Sequence, residues 1–162
     1  MSAATIQIQT SSPDETEALG EVLAAFIPSG TVVALYGNLA AGKTCLVHGF
    51  AKAFKVQEPV SSPTFTIVNE YHGTETLYHI DLYRLTTLGE IYDIGCEEYI
   101  DTPPGICLIE WAERAEVVLP ASRVTIRMEH KGEDLRSITI NTEAPLDEGW
   151  QEALQERFTQ ET

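Results

Sequence analysis

The chain has 162 residues, 43% of them hydrophobic, which suffices for one substantial core and falls short of two full domains, so residues 1–162 are expected to form a single domain. Ten basic residues against 25 acidic ones leave a net charge of −15, a field that repels a phosphate backbone; with no basic stripe, RNA is expected to be met only indirectly, through another protein. No apolar run approaches the ~20 residues of a membrane span, and no basic region with an apolar core opens the chain, so no membrane partner and a cytoplasmic location are expected.

Cys45, Cys96 and Cys107 are odd in number and form no C-x-x-C pair, as reduced thiols do. Cys45 and Cys107 read as small buried hydrophobes on a helix and a strand.

Thr5-Ile6-Gln7-Ile8-Gln9 alternates apolar and polar residues, as a half-buried or edge strand does. Ser12, Pro13 and Glu15 then mark a helix start: N-cap, first-turn proline and the acid of a capping box. Leu19, Val22, Leu23 and Phe26 follow at helical spacing, and Pro28-Ser29-Gly30 ends the helix. Residues 31–36 are a β-branched apolar run, and residues 43–54 an amphipathic helix whose Leu46, Val47, Phe50, Ala53 and Phe54 would pack on a sheet.

Between them, Gly37-Asn38-Leu39-Ala40-Ala41-Gly42-Lys43-Thr44 matches G-x-x-x-x-G-K-[ST] at every required position. Strand, loop and helix come in the order that a phosphate-binding loop needs. In that geometry the backbone N–H groups of Gly37 through Thr44 and of Cys45, in the first helical turn, cradle phosphate oxygens. Lys43 reaches the β- and γ-phosphates, and the Thr44 hydroxyl enters the shell of a Mg2+ ion. The excess of acid makes this pocket a local exception.

Pro63 makes residues 60–64 an extended or turned loop. Residues 65–71 and 76–82 read as two strands joined by His72-Gly73-Thr74, an antiparallel hairpin inserted into the nucleotide-binding sheet. If Ile80 and Leu82 face one way, Asp81 faces the other, toward the cleft. Residues 87–99 are helix-compatible and broken near Gly95. Ile106-Cys107-Leu108-Ile109 is a continuous apolar run, as in a buried parallel strand, and ends in Glu110-Trp111. A carboxylate there needs a partner, and in a phosphate-loop protein the expected one is Mg2+ or its water. Residues 123–129 and 135–140 form the clearest hairpin, joined by Lys131-Gly132-Glu133-Asp134. The last helix, residues 147–158, places Trp150, Ala153, Leu154, Arg157 and Phe158 on one face, for core packing or for docking a partner.

The fold class expected is α/β: a three-layer, P-loop NTPase-like domain with a mainly parallel central sheet and antiparallel hairpin strands. Taken together, the phosphate loop, Ser61-Ser62-Pro63-Thr64-Phe65-Thr66, His79-Ile80-Asp81-Leu82-Tyr83-Arg84 and Ile109-Glu110-Trp111 resemble the TsaE (YjeE) family over roughly residues 31–124. That family is the bacterial ATPase needed for threonylcarbamoyl modification of adenosine 37 in tRNAs. The resemblance implies binding of ATP and Mg2+ and joint action with TsaB and TsaD, resetting the complex between turnovers; if a partner supplies the missing cation, the chain alone should be a slow ATPase that its partners stimulate. Carried over by motif, Lys43 and Thr44 hold phosphate and metal, Asp81 and Glu110 serve the metal and the attacking water, Thr64 belongs to a switch-like loop near the γ-phosphate, and Trp111 lies close to the nucleotide. The chain departs from the family loop at Asn38, where an acid is common, and at Ala40, where glycine is common. An Ala40 forced to positive φ would carry strain of about 1 kcal/mol.

Two other readings stay open on the residues alone: a small-molecule kinase on the same scaffold, against which stands the lack of an arginine-rich lid, and a nucleotide-sensing interaction module. Arg84 is a candidate cationic finger or a surface salt-bridge partner. No guanine-reading N/TKxD motif is evident, which favours adenine.

Overall fold

The computed structural model of the chain describes residues 4–38, 41–60, 68–93, 95, 97–101 and 104–160. Leu39, Ala40, Thr64 and the rest of residues 61–67, with Cys96, lie outside them.

Eight strands form one sheet: β1 (Ala4–Thr10), β2 (Val32–Tyr36), β3 (Val68–His72), β4 (Thr76–Asp81), β5 (Ile106–Glu110), β6 (Val124–Gly132), β7 (Leu135–Thr142) and β8 (Thr159–Gln160). Their order is β3-β4-β5-β2-β6-β7-β1-β8. Neighbours from β4 to β6 are parallel, and every other pair is antiparallel. The centre is therefore parallel as expected, with antiparallel strands at both flanks.

The apolar runs of β2 and β5 are buried at every residue because both faces are covered. One face receives the helices α1 (Pro13–Ala24), α2 (Lys43–Ala53) and α5 (Trp150–Arg157), whose Leu19, Leu23, Leu46, Val47, Phe50 and Leu154 meet Val33, Leu35 and Leu108. The other receives the short helices α3 (Leu88–Asp93) and α4 (Glu97–Ile100) and a 3-10 helix, Ala112–Val118, over Val32, Ala34, Ile80 and Ile109. Helices α1 and α2 cross where glycines let the backbones meet. A β-carbon at Gly49 would lie 2.1 Å from Glu17 O, and one at Gly20 2.4 Å from Leu46 O.

Helix α1 starts as its caps dictate, with the Glu15 amide donating to Ser12 Oγ at 3.0 Å. The Glu15 carboxylate accepts from the Ser11 hydroxyl at 3.4 Å, where the capping box had it returning to the Ser12 amide. β1 is half-buried, as expected, and is paired on both sides, since β8 folds back onto it. The hairpin β3–β4 is antiparallel and belongs to the sheet, as expected, with β3 at the sheet edge and β4 running parallel to β5. In the β6–β7 hairpin the strands extend to Gly132 and from Leu135, with a register shift between His130 and Gly132, so the turn is shorter than the four residues expected. At the C-terminus, Trp150, Leu154 and Phe158 enter the core while Arg157 is exposed, so α5 is held by packing.

Among the described residues no helix is long and apolar enough to cross a membrane.

Candidate functional site

Strand alternation places Leu77, His79 and Asp81 of β4, Ile106, Leu108 and Glu110 of β5, and Val33 and Leu35 of β2 on the face that α2 covers. Leu77, Leu108 and Leu35 accordingly belong to the α2-side core. At the C-terminal ends of these strands the apolar residues give way to Asp81 and Glu110, which stand opposite one another in the β4–β5 register. The loop after Tyr36 returns above them into α2.

The loop's backbone needs its glycines. Gly42, the N-cap of α2, has φ +101, a conformation that side chains rarely adopt. A β-carbon at Gly37 would lie 2.7 Å from Met128 O. Arg136 on β7 ties the loop down, its Nε donating to Ala41 O at 3.1 Å.

Lys43 begins α2 and is only 4% exposed. Its ammonium donates to Gly37 O and stands 3.8 Å from the centre of the Trp111 ring, a cation–π contact. Burial lowers its pKa, against Glu110, Glu113 and Asp81, which favour the charged form. Trp111 has left-handed backbone, φ 59 and ψ 43, at a cost of about 1 kcal/mol for a bulky residue. That conformation turns the chain from β5 into the 3-10 helix and sets the ring between Lys43 and Tyr83, whose ring centre is 5.0 Å away.

The Thr44 hydroxyl donates to Glu110 Oε2 at 3.4 Å, so the two expected metal ligands converge. Asp81, 4% exposed, accepts from the Tyr83 amide at 2.8 Å and so stabilises the turn after β4. Asn38 and Arg84 are exposed. Cys45 is half-buried; burial raises its thiol pKa, and the nearby Glu17 adds to this. Its surroundings are thus less apolar than expected, whereas Cys107 is fully buried.

Glu110 also has a protein partner that the sequence did not point to. His79, with no exposed surface, donates from Nε2 to Glu110 Oε2 at 2.5 Å. Sequence reasoning passed over this role, although an imidazole inside the apolar run of β4 was a visible signal. It also missed Glu113 and Arg136, which long-range folding alone brings to the loop. Beside the loop a cleft of about 620 Å3 opens between Tyr36, Gly37, Asn38 and Ala41 on one side and Arg127 to His130 of β6 on the other, within the usual size of a ligand pocket.

Among the described residues no group of three or more His, Cys, Asp or Glu side chains is placed to hold a metal ion. Mg2+ typically binds through one or two carboxylates together with substrate phosphates. The Thr44–Glu110 pair at the mouth of a phosphate loop fits an ion that arrives with a nucleotide.

Comparison with known proteins agrees with this geometry. Residues 10–138 match the family described as threonylcarbamoyl adenosine biosynthesis protein TsaE. The tRNA threonylcarbamoyladenosine biosynthesis protein TsaE of Treponema pallidum is 44% identical over 129 residues, 80% of this chain and 95% of that protein. The Bacillus subtilis protein of the same name is 43% identical over 133 residues, 82% of each chain. The crystal structure of Bacillus subtilis YdiB superposes with a TM-score of 0.75 at 34% identity, over 96% of this chain and 95% of that one. A phosphate loop, the two strand-end carboxylates and these relatives agree: the chain belongs to the TsaE family.

Proposed function

We propose that this chain is a Mg2+-dependent ATPase that serves the threonylcarbamoyl modification of adenosine 37 in tRNA, works as one domain in the cytoplasm, and acts with TsaB and TsaD, resetting their complex between turnovers. The observation that carries the reading is the convergence of Thr44 and Glu110 at 3.4 Å beside the buried Lys43.

Phosphoryl transfer to water asks a protein mainly for positioning and for stabilisation of spreading negative charge. The amides of the loop, from Gly37 to Cys45, hold the phosphate chain, and Lys43 leaves Gly37 O to meet the terminal phosphates. Trp111 forms the wall on which the Lys43 ammonium rests. Thr44 and Glu110 hold the Mg2+ ion, which when bound offsets the charge of the phosphates. Asp81 and Glu110 serve the metal and the attacking water between them, and the family resemblance gives Thr64 a part near the γ-phosphate. The net charge of −15 suits a protein that reaches tRNA only through its partners.

The deciding experiment measures ATP hydrolysis by the purified chain alone and mixed with TsaB and TsaD, with Mg2+ throughout. A slow basal rate stimulated in the mixture is expected; a cation supplied in trans can be worth ~10³ to 10⁵ in rate. A rate indifferent to both partners, or faster transfer of the γ-phosphate to a metabolite than to water, overturns the proposal.

A further inference from the structure

The geometry points to His79 as a positioning residue: its Nε2–H holds the Glu110 carboxylate in the orientation that the metal and the attacking water require. This rests on the reading of Glu110 given above.

Three observations meet here. His79 lies opposite Leu108 in the β4–β5 register, two residues before Glu110, so its ring reaches diagonally to the carboxylate. Both His79 at 2.5 Å and Thr44 at 3.4 Å address the same oxygen, Oε2, so the imidazole fixes the carboxylate by the oxygen that faces Thr44. Finally, the other ring nitrogen, Nδ1, is buried with no hydrogen-bond partner among the described residues.

The orphaned nitrogen separates this role from mere filling of the core. A leucine here, in a strand whose Leu77 and Ile80 are equally buried, would spare the desolvation of two polar atoms. Only the bond to Glu110 gives the imidazole a return. A glutamate on its own strand has three rotatable bonds; a donor carried by the neighbouring strand removes that freedom. Donors of this kind, one step behind a metal ligand, typically change metal affinity or activity 10- to 100-fold when removed.

The test compares His79→Gln, whose amide can reach the place of Nε2, with His79→Asn, whose shorter side chain stops near Nδ1, and with His79→Leu. For each, kcat and KM for ATP are measured in the complex with TsaB and TsaD. The affinity of the ADP-bound chain for Mn2+ is measured separately by electron paramagnetic resonance. Expected are a kcat ~10-fold or more lower and Mn2+ binding ~10-fold weaker in His79→Asn and His79→Leu, with KM little changed, and recovery of most of both losses in His79→Gln. In the unmodified chain, 15N resonance of the ring should show the proton on Nε2. Equal behaviour of Gln and Asn, a proton on Nδ1, or unaltered Mn2+ affinity in a folded His79→Leu each overturns the inference. Glu110→Gln serves as the control: if it hydrolyses ATP at the full rate, the reading of Glu110 itself fails, whereas its loss with an indifferent His79 sinks only the positioning role.

Discussion

β4, β5 and β2 are buried on both faces, and from Leu77 onward every residue of β4 is inside; β6, β7 and β1 mix buried residues with partly or fully exposed ones. The first group has helices above and below and places chemistry at its C-terminal ends, where Asp81, Glu110 and the loop after Tyr36 gather. Ligands of parallel sheets sit there for a physical reason: strand ends stop short of the covering helix N-terminus, which offers unpaired amides. The second group packs one face on α1 and α5 and supplies a rigid frame, reaching the loop through Arg136 and Met128 and the cleft beside it through Arg127 to His130. Chemistry and stability are therefore separable to a large degree.

Glu110→Gln should break the first region alone. It keeps the volume and removes the charge, so hydrolysis should fall ~10²-fold or more, the scale of a lost catalytic carboxylate, with ATP still bound and the melting temperature unchanged or higher. Single-turnover kinetics with calorimetric binding separates these. Conversely, Leu154→Ala in α5, fully buried on the frame, should cost 2–5 kcal/mol of stability, roughly 2–4 °C in Tm for each kcal/mol. Its rate per folded molecule should stay the same. A fall in partner-stimulated rate without a fall in Tm would instead give α5 a docking role.

Lys43→Ala lies between the two in size. It removes a charged donor from the phosphate site, which should weaken ATP binding by roughly 10- to 100-fold. It also relieves the burial of an ammonium whose pKa is lowered by desolvation. In the nucleotide-free chain the unfolded state holds that proton more firmly than the folded one. Stability should therefore rise with pH from the lowered folded pKa toward the ordinary lysine value, and the rise should vanish in Lys43→Ala. Urea titrations across the alkaline range measure it.

How much of this was legible in the sequence follows from the range of each signal. The phosphate loop, the buried runs of β2 and β5 and the cap of α1 depend on neighbours within about one turn or one strand, and they stood out. Glu110 could be singled out as a strand-end carboxylate needing a partner, and Thr44 is that partner's expected companion. His79 could not be joined to Glu110, because the contact depends on which residue of β4 faces Leu108, and no local pattern encodes a register between strands. Arg136 meets Ala41 across 95 positions. Its alternating strand shows that it leaves the core face, without showing what it then touches. The β3–β4 hairpin was legible for the converse reason: its turn fixes the pairing of β3 with β4, while the parallel neighbour of β4, β5, is set at long range.

Tyr36 tests the border between the two regions, with the smallest effect. It ends β2, its hydroxyl donates to Glu116, and the Arg127 guanidinium of β6 stands 4.4 Å from its ring centre. Burial, reinforced by the bond to Glu116 and that carboxylate's charge, pushes the phenol up to about 12. The folded pKa lies above the unfolded one, so this contribution to stability is complete below pH ~10 and is lost as the pH rises toward 12. Absorbance of tyrosinate should show a late-titrating group that is lost in Tyr36→Phe, whose stability at neutral pH should drop by about 1 kcal/mol. Because Tyr36 also lines the cleft beside the loop, bound nucleotide should retard this titration further if phosphate charge lies nearby. An unchanged curve with saturating ATP would place the nucleotide away from this cleft and confine it to the loop and the strand ends.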